Sequence, residues 1–503
     1  MRLKLTFFLC FVIFNLSLTA QVPETVWTQT YGGENMDDGN YVQQTTDGGF
    51  IVLGGTEIIE GRVSNYNVWL IKIDADGEEE WDQMYGGDQW DSCYCVQQTN
   101  DNGYILVGGT SSFGRGESQV WLIKTDENGD EEWSQIFGGG EWDEGYSAQQ
   151  TDDDGYIIVG STSSFGAGAE DVWVIKTDED GEEVWTQTFG GEETDEGYSI
   201  QQTNDGGYIL TGLTLSEGAG LEDVLLIKLD EDGEEEWSRT FGNRATDEGY
   251  CVRQTDDDGY IISGMTGVVD NDAVDVLLLK VDADGEQQWG QTHGGDSWDD
   301  GACVQQTSDG GYIVTGMSIN PDHDYEDILV LKTDAEGEEE WSELYGGQGW
   351  EIGSWIEQTD DDGYIIAGSS DWFGAGMDDI YLIRLGPPPG NEPTAFNLLL
   401  PEDDEVLEIE EPFEITFIWE ESFDPDNGDT LRYDLSVNVR TDEINNTVLI
   451  RALDDTTHAL SIHEDFGLAF WEEQLEFFWF VRAISGEDTV YCEDSFFFYV
   501  DSY

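Results

Sequence analysis

The chain has 503 residues, and its 111 Asp and Glu against 18 Lys and Arg give a formal net charge of −93. A surface of that sign excludes nucleic acid and anionic membranes as electrostatic partners, since it repels both. Only four histidines are present, and a zinc-built site is not expected.

Arg2 and Lys4 precede an apolar stretch from Leu5 to Leu18 that ends just before Gln21. Residues 1–20 therefore read as a secretory signal peptide, and export is expected. Cys10 lies inside the apolar stretch rather than after a small-residue cleavage box, so no lipid anchor is expected at it. No later segment is apolar enough to span a membrane.

Tryptophan then recurs at Trp81, Trp133, Trp185, Trp237, Trp289 and Trp341, always 52 residues apart, with Trp27 one slightly longer step upstream. A fixed period of this size marks a repeat architecture in which each unit buries its faces against its neighbours. In the copy that starts at Trp133, four strand-like runs emerge: Trp133–Phe137, Tyr146–Thr151, Tyr156–Gly160 and Val172–Thr177, bounded by Gly and Asp-Gly turn residues. Four strands repeated seven times predict an all-β, seven-bladed β-propeller over residues 21–386. Tyr146–Thr151 is expected innermost, because its small residues suit crowding at the axis, and Trp133–Phe137 outermost. Trp27–Tyr31 is expected to complete the last blade beside Ile380–Leu385, leaving no unpaired edge.

Asp152–Gly155 and the Asp178–Gly181 type of turn are tight acidic hairpins, whereas Gly138–Gly145 and Ser161–Asp171 are longer. Alternation of strand direction puts both long connections on one face. After the ring, residues 387–392 read as a Pro/Gly linker. Residues 393–503 carry the alternating runs Phe413–Trp419, Leu431–Val439, Thr447–Ala452, Phe477–Ala483 and Ser495–Val500, which predict a β-sandwich.

The repeat's DGGYI, GxTxSxGxG, D-V-x-L-I-K and W-x-x-x-Y-G-G segments resemble a broad class of secreted bacterial and archaeal β-propeller repeat proteins, over roughly three quarters of the chain. That likeness implies a fold and no shared catalytic motif. The stretch PFEITFIWEESFDPDNGDTLRYDLSV, followed by FFWFVRAI, resembles bacterial fibronectin type III-like modules, with Trp419 and Trp479 matching their core aromatics. Such modules imply a spacer or adhesive accessory.

Beyond the signal peptide, lysine occurs at one repeat position only: Lys72, Lys124, Lys176, Lys228, Lys280 and Lys332, with Arg384 in the seventh copy. A surface stripped of lysine fits life in high salt, where self-repulsion is screened within ~3 Å at 1 M. Each lysine lies two residues before an aspartate, Asp74 and its equivalents, and a charge pair between blades is expected there. Cys95, Cys251 and Cys303 share one repeat position and read as small core residues, too far apart between blades for a disulfide.

The long-loop face carries the candidate ligand surface. Trp90, Trp142, Trp298 and Trp350 are each followed by an acid, Asp91, Asp143, Asp299 or Glu351, while Phe113, Phe165 and Phe373 come from the other long loop. Rings beside carboxylates suit sugar binding, the ring stacking on the apolar sugar face and the acid accepting hydroxyl hydrogen bonds. The same tryptophans would equally serve as wedges between blades. Arg239, Arg244 and Arg253 are expected to concentrate charge in blade five, either neutralising Asp247 and its neighbours or forming a notch that reads a uronate or sulfate. No metal or cofactor is required, although Asp424, Asp426 and Asp429 have the spacing of a partial calcium loop, and the Asp-x-Asp/Asn-Gly hairpins echo it more weakly. No nucleophile elbow, Cys/His pair or phosphate loop is present. The expected function is non-enzymatic binding or adhesion by a monomer, to an extracellular polysaccharide or surface protein. A polysaccharide-active hydrolase or lyase, and a structural cell-surface component, are the alternatives.

Overall fold

The computed structural model describes residues 22–387 apart from 61–62, 269–272, 296, 321–322 and 324, and beyond them only strands between residues 398 and 501. The expected signal peptide, the expected linker beyond residue 387 and the aspartates 424, 426 and 429 lie outside the described residues.

Every regular element among the described residues is a strand. Residues 25–385 form seven four-stranded antiparallel sheets arranged as blades. In the third blade the order from the axis outward is Asp143–Gln150, Tyr156–Thr162, Asp171–Thr177 and Glu183–Phe189. The innermost strands of successive blades pack on one another, the first on the seventh included, so the ring is closed. Closure is made as expected: Thr25–Tyr31 is the outer strand of the seventh blade, with Trp27 opposite Arg384 and Tyr31 opposite Ile380.

The tryptophan period has a packing cause. Each of these rings meets the aromatic residue that opens the second strand of the next blade, as Trp133 meets Tyr156 with centroids 5.8 Å apart and planes 64° apart. The contact recurs in all seven gaps, from Trp27 on Phe50 to Trp341 on Tyr364. Edge-to-face pairs add about 0.5–1.5 kcal/mol each beyond area burial, so the ring is stitched at its periphery as well as at its axis.

Two further repeats fix the blades. The first hairpin turns through a left-handed residue that is Gly48, Gly206 or Gly310 in three blades and Asn102, Asp154, Asp258 or Asp362 in the other four; these residue types tolerate that conformation best. The buried lysines pair within a blade, not between blades. Lys124 Nζ lies 2.9 Å from Asp101 of that first hairpin and 3.3 Å from Glu132, and Arg384 takes the same place against Asp361. The aspartate two residues on is used otherwise: Asp126 accepts the backbone N–H groups of Asn128 and Asp130 in its own turn. Alternation placed these aspartates on the lysine's side of the strand, but the neighbouring hairpin reaches the ammonium first. Cys93, Cys95, Cys251 and Cys303 are buried free thiols, although Cys251 and Cys303 turn toward each other and their Sγ atoms stand 3.9 Å apart.

Beyond the ring, the five runs expected from residue 413 onward coincide with strands. Leu398–Leu400, Glu414–Trp419 and Thr457–Ser461 form one sheet, and Leu475–Ser485 pairs with Arg432–Arg440, Asp488–Tyr491 and Phe496–Asp501 in another.

Candidate functional site

The innermost strands begin on the long-loop face and carry its chemistry to the axis. Each contains an extra residue relative to its partner, the register slipping between Gly145 and Ser147 in blade three and at the same place elsewhere. A bulge of this kind re-aims one side chain. In blades two to five that side chain is Tyr94, Tyr146, Tyr198 or Tyr250, and the four rings form a continuous arc with centroids 5.4, 5.5 and 5.9 Å apart. Blades six, seven and one have Ala302, Ser354 and Asn40 there, so the arc is open on one side.

Carboxylates interleave with the arc. Tyr198 donates to Glu196 at 3.2 Å and Tyr146 to Glu144 at 3.4 Å. Burial, then the neighbouring Glu170 carboxyl that shares a hydrogen bond with it, pushes Glu196 up to about 7. Burial pushes Asp300 up to about 6 and raises Glu144 and Glu248. At neutral pH this mouth thus mixes neutral and ionised acids, presenting donors and acceptors beside aromatic edges.

The expected tryptophans rim the same mouth. Trp90, Trp142, Trp298 and Trp350 are 51 %, 40 %, 40 % and 56 % exposed. Their backbones clip blades together, since Trp90, Trp142 and Trp298 each form a parallel bridge to the preceding blade, yet all four side chains stay partly exposed. Trp142 Nε1 donates to Glu144 at 3.2 Å, Trp298 bonds Asp300, and Trp90 stacks on Tyr66, whose hydroxyl donates to Asp38. Phe113 and Phe165 are exposed and lean on Trp121 and Trp173, while Phe373 stacks on Tyr381. Trp372, beside it, is exposed on the same face.

The aspartates after those tryptophans face inward. Asp91, Asp143 and Asp299 are 0 %, 0 % and 5 % exposed. Asp91 accepts hydrogen bonds from Gly87 N, Thr110 Oγ1 and Ser112 Oγ, tying the two long loops together, and Glu351 does the same with Gly347 and Ser370. The acids bonded to the rim tryptophans are instead those one residue further along, Glu144 and Asp300. The three arginines are not brought together. Arg239 sits on the outermost strand of blade four, 3.4 Å from Glu286 and over the Trp237 ring. Arg244 is exposed in the inter-blade loop, and Arg253 lines a cavity on the axis. Among the described residues no group of three or more His, Cys, Asp or Glu side chains is arranged to hold a metal ion.

No protein-family model matches the sequence, and no curated protein does. Solved structures similar to the ring include Sqt1 of Chaetomium thermophilum, at 10 % identity and TM-score 0.41, covering 73 % of this chain and 98 % of that one. A puromycin hydrolase, at 12 % and 0.42, covers 76 % and 59 %. An endo-1,5-α-L-arabinanase of Thermotoga petrophila RKU-1, at 11 % and 0.29, covers 72 % and 100 %. Likeness this slight carries no argument about activity.

Proposed function

We propose that the protein is an exported, non-enzymatic binding protein that captures extracellular polysaccharide on the long-loop face of its propeller, with the fibronectin-like segment as an accessory. The observation that carries this reading is the coupling of Trp142 and Trp298: each ring is substantially exposed while its indole N–H is anchored to an axial carboxyl. An anchored ring loses little conformational entropy on stacking against a sugar, and the acids beside it accept hydroxyl hydrogen bonds.

One feature favours the hydrolase alternative. Burial and the Glu170 carboxyl push Glu196 up to about 7 beside Tyr198, within the tyrosine arc, and a carboxyl raised in this way is what general-acid cleavage of a glycosidic bond requires. A pull-down on a panel of neutral and acidic polysaccharides, with reducing ends measured in the same tubes, separates the two. Retention without new reducing ends supports binding. Reducing ends that disappear in Glu196→Gln establish the hydrolase, and failure to retain any polysaccharide overturns the binding reading.

A further inference from the structure

Below the tyrosine arc, toward the tight-turn face, the axis holds a second and chemically different space: a cavity of about 170 Å³ lined by the middle and far ends of the innermost strands. At 10–15 Å³ per water centre that is room for on the order of ten waters, or one molecule of monosaccharide size. Its wall is one repeat position taken seven times. Five blades supply Gln43, Gln97, Gln149, Gln201 and Gln305; blade five supplies Arg253 and blade seven Glu357.

The five amides have a fixed orientation. The backbone N–H of the next blade's glutamine donates to each side-chain oxygen at 2.6–2.8 Å, as Gln98 N does to Gln43 and Gln358 N to Gln305. A backbone N–H only donates, so the amide oxygen must face it and the NH2 group is left over. None of these five NH2 groups has a protein acceptor among the described residues. Arg253 adds to the surplus. It gives one hydrogen bond, to the Val252 carbonyl at 2.9 Å, lies over the Trp355 ring at 4.9 Å, and forms no ion pair, unlike Arg239 and Arg384. In a chain of net charge −93, a guanidinium that has no ion-pair partner among the described residues, with Glu357 the one carboxyl in the cavity wall and amide donors around it, runs against the field of the whole molecule. Unmet donors around a cavity call for an acceptor inside it.

We propose that this axial cavity binds a small organic monocarboxylate, its carboxylate held by the Arg253 fork and its other oxygens by the ring amides. Glu357, two blades from Arg253 with Gln305 between them, sets the charge limit. It accepts Gln44 N, and as the single acid of the ring it repels a dianion more than a monoanion, which points away from phosphate and sulfate. The Tyr41 and Trp355 rings, stacked with centroids 3.8 Å apart, give the apolar side of the ligand a wall. This site does not depend on the loop-face reading, since its lining shares no residue with that surface.

The test is calorimetric titration of the full chain, in carboxylate-free buffer, with sodium glucuronate, glucose, sodium sulfate and sodium phosphate. Arg253→Gln is the informative variant, because Gln is the repeat's own residue there and restores an acceptor for Gln306 N–H, so folding is preserved. Glucuronate is expected to bind at least tenfold more tightly than glucose, sulfate or phosphate. Arg253→Gln should weaken it at least tenfold with an unchanged or higher melting temperature, while the Trp142→Ala, Trp298→Ala double variant leaves it unaltered. Absence of binding by glucuronate, equal binding by glucose, sulfate or phosphate, or an Arg253→Gln affinity within twofold of the parent would each overturn the assignment.

Discussion

Lys124 and Asp101 form an unequal pair. The lysine side chain is 5 % exposed and the aspartate 59 %, so removing the aspartate leaves a buried ammonium with only Glu132 and the Thr125 carbonyl as partners, whereas removing the lysine returns a carboxylate to water. Asp101→Asn is therefore expected to destabilise by about 1–3 kcal/mol, below the 3–5 kcal/mol of a fully buried pair, and Lys124→Met by less than about 1 kcal/mol; chemical denaturation of both variants checks the order. Acids at the axis make a second residue-scale case. Glu196 and Glu357 are held up to about 7 and Asp300 to about 6, burial being the first cause in each. Their folded values exceed their unfolded ones, so the folded state binds protons that the unfolded state has released, and their contribution is complete below about pH 4 and lost as pH rises through 6 to 7. The hairpin aspartates such as Asp101 and Asp153, lowered despite partial burial by their Thr and Lys hydrogen bonds, act oppositely and lose their contribution only as pH falls below about 4. Thermal melts at fixed high salt should show stability declining from pH 5.5 to 8, and a Glu196→Gln, Glu357→Gln variant should flatten that slope. An equal slope in the two proteins would remove these acids from the account.

The closing strand Thr25–Tyr31 is joined to blade seven by its full length of ladder pairing and by Trp27 on Phe50. Deleting residues 25–31 exposes Asp379–Leu385 as an edge, and aggregation or loss of cooperative unfolding is the expected result; a deletion protein that stays monomeric and melts as before would contradict the closure. Elements of this kind were legible in the sequence, because the 52-residue tryptophan spacing is itself the inter-blade contact and Asp-Gly turns mark each hairpin. The lysine partners were not. Period-2 alternation tells which side of a strand a residue occupies, but not whether the neighbouring hairpin or the residue's own strand reaches the charge first. The tyrosine arc was hidden for a related reason: Tyr94, Tyr146, Tyr198 and Tyr250 recur visibly, yet only the bulge turns them into a contiguous surface. Arg239, Arg244 and Arg253, close in sequence, fall on outer strand, loop and axis because one repeat length of chain crosses the whole radius of a blade.

At the scale of the whole molecule, charge dominates. A net charge of −93 repels itself over the full surface, while the lysines of the described residues are consumed inside the blades, as Lys124 is, and Arg384 with them. With a Debye length near 10 Å at 0.1 M and 3 Å at 1 M, the melting temperature is expected to fall sharply from molar to millimolar salt; indifference to salt would contradict the high-salt reading. The closed ring collects the exposed tryptophans and the axial acids on one face, and capture of polysaccharide by that face is the central claim. Affinity electrophoresis in gels containing the polysaccharide retained in the pull-down tests it most directly, comparing the parent chain with Trp142→Ala, Trp298→Ala. The account predicts that the parent is retarded and the double variant migrates at least tenfold less retarded, with melting temperatures within a few degrees because both rings are solvent-facing. Equal retardation of the two proteins would contradict it.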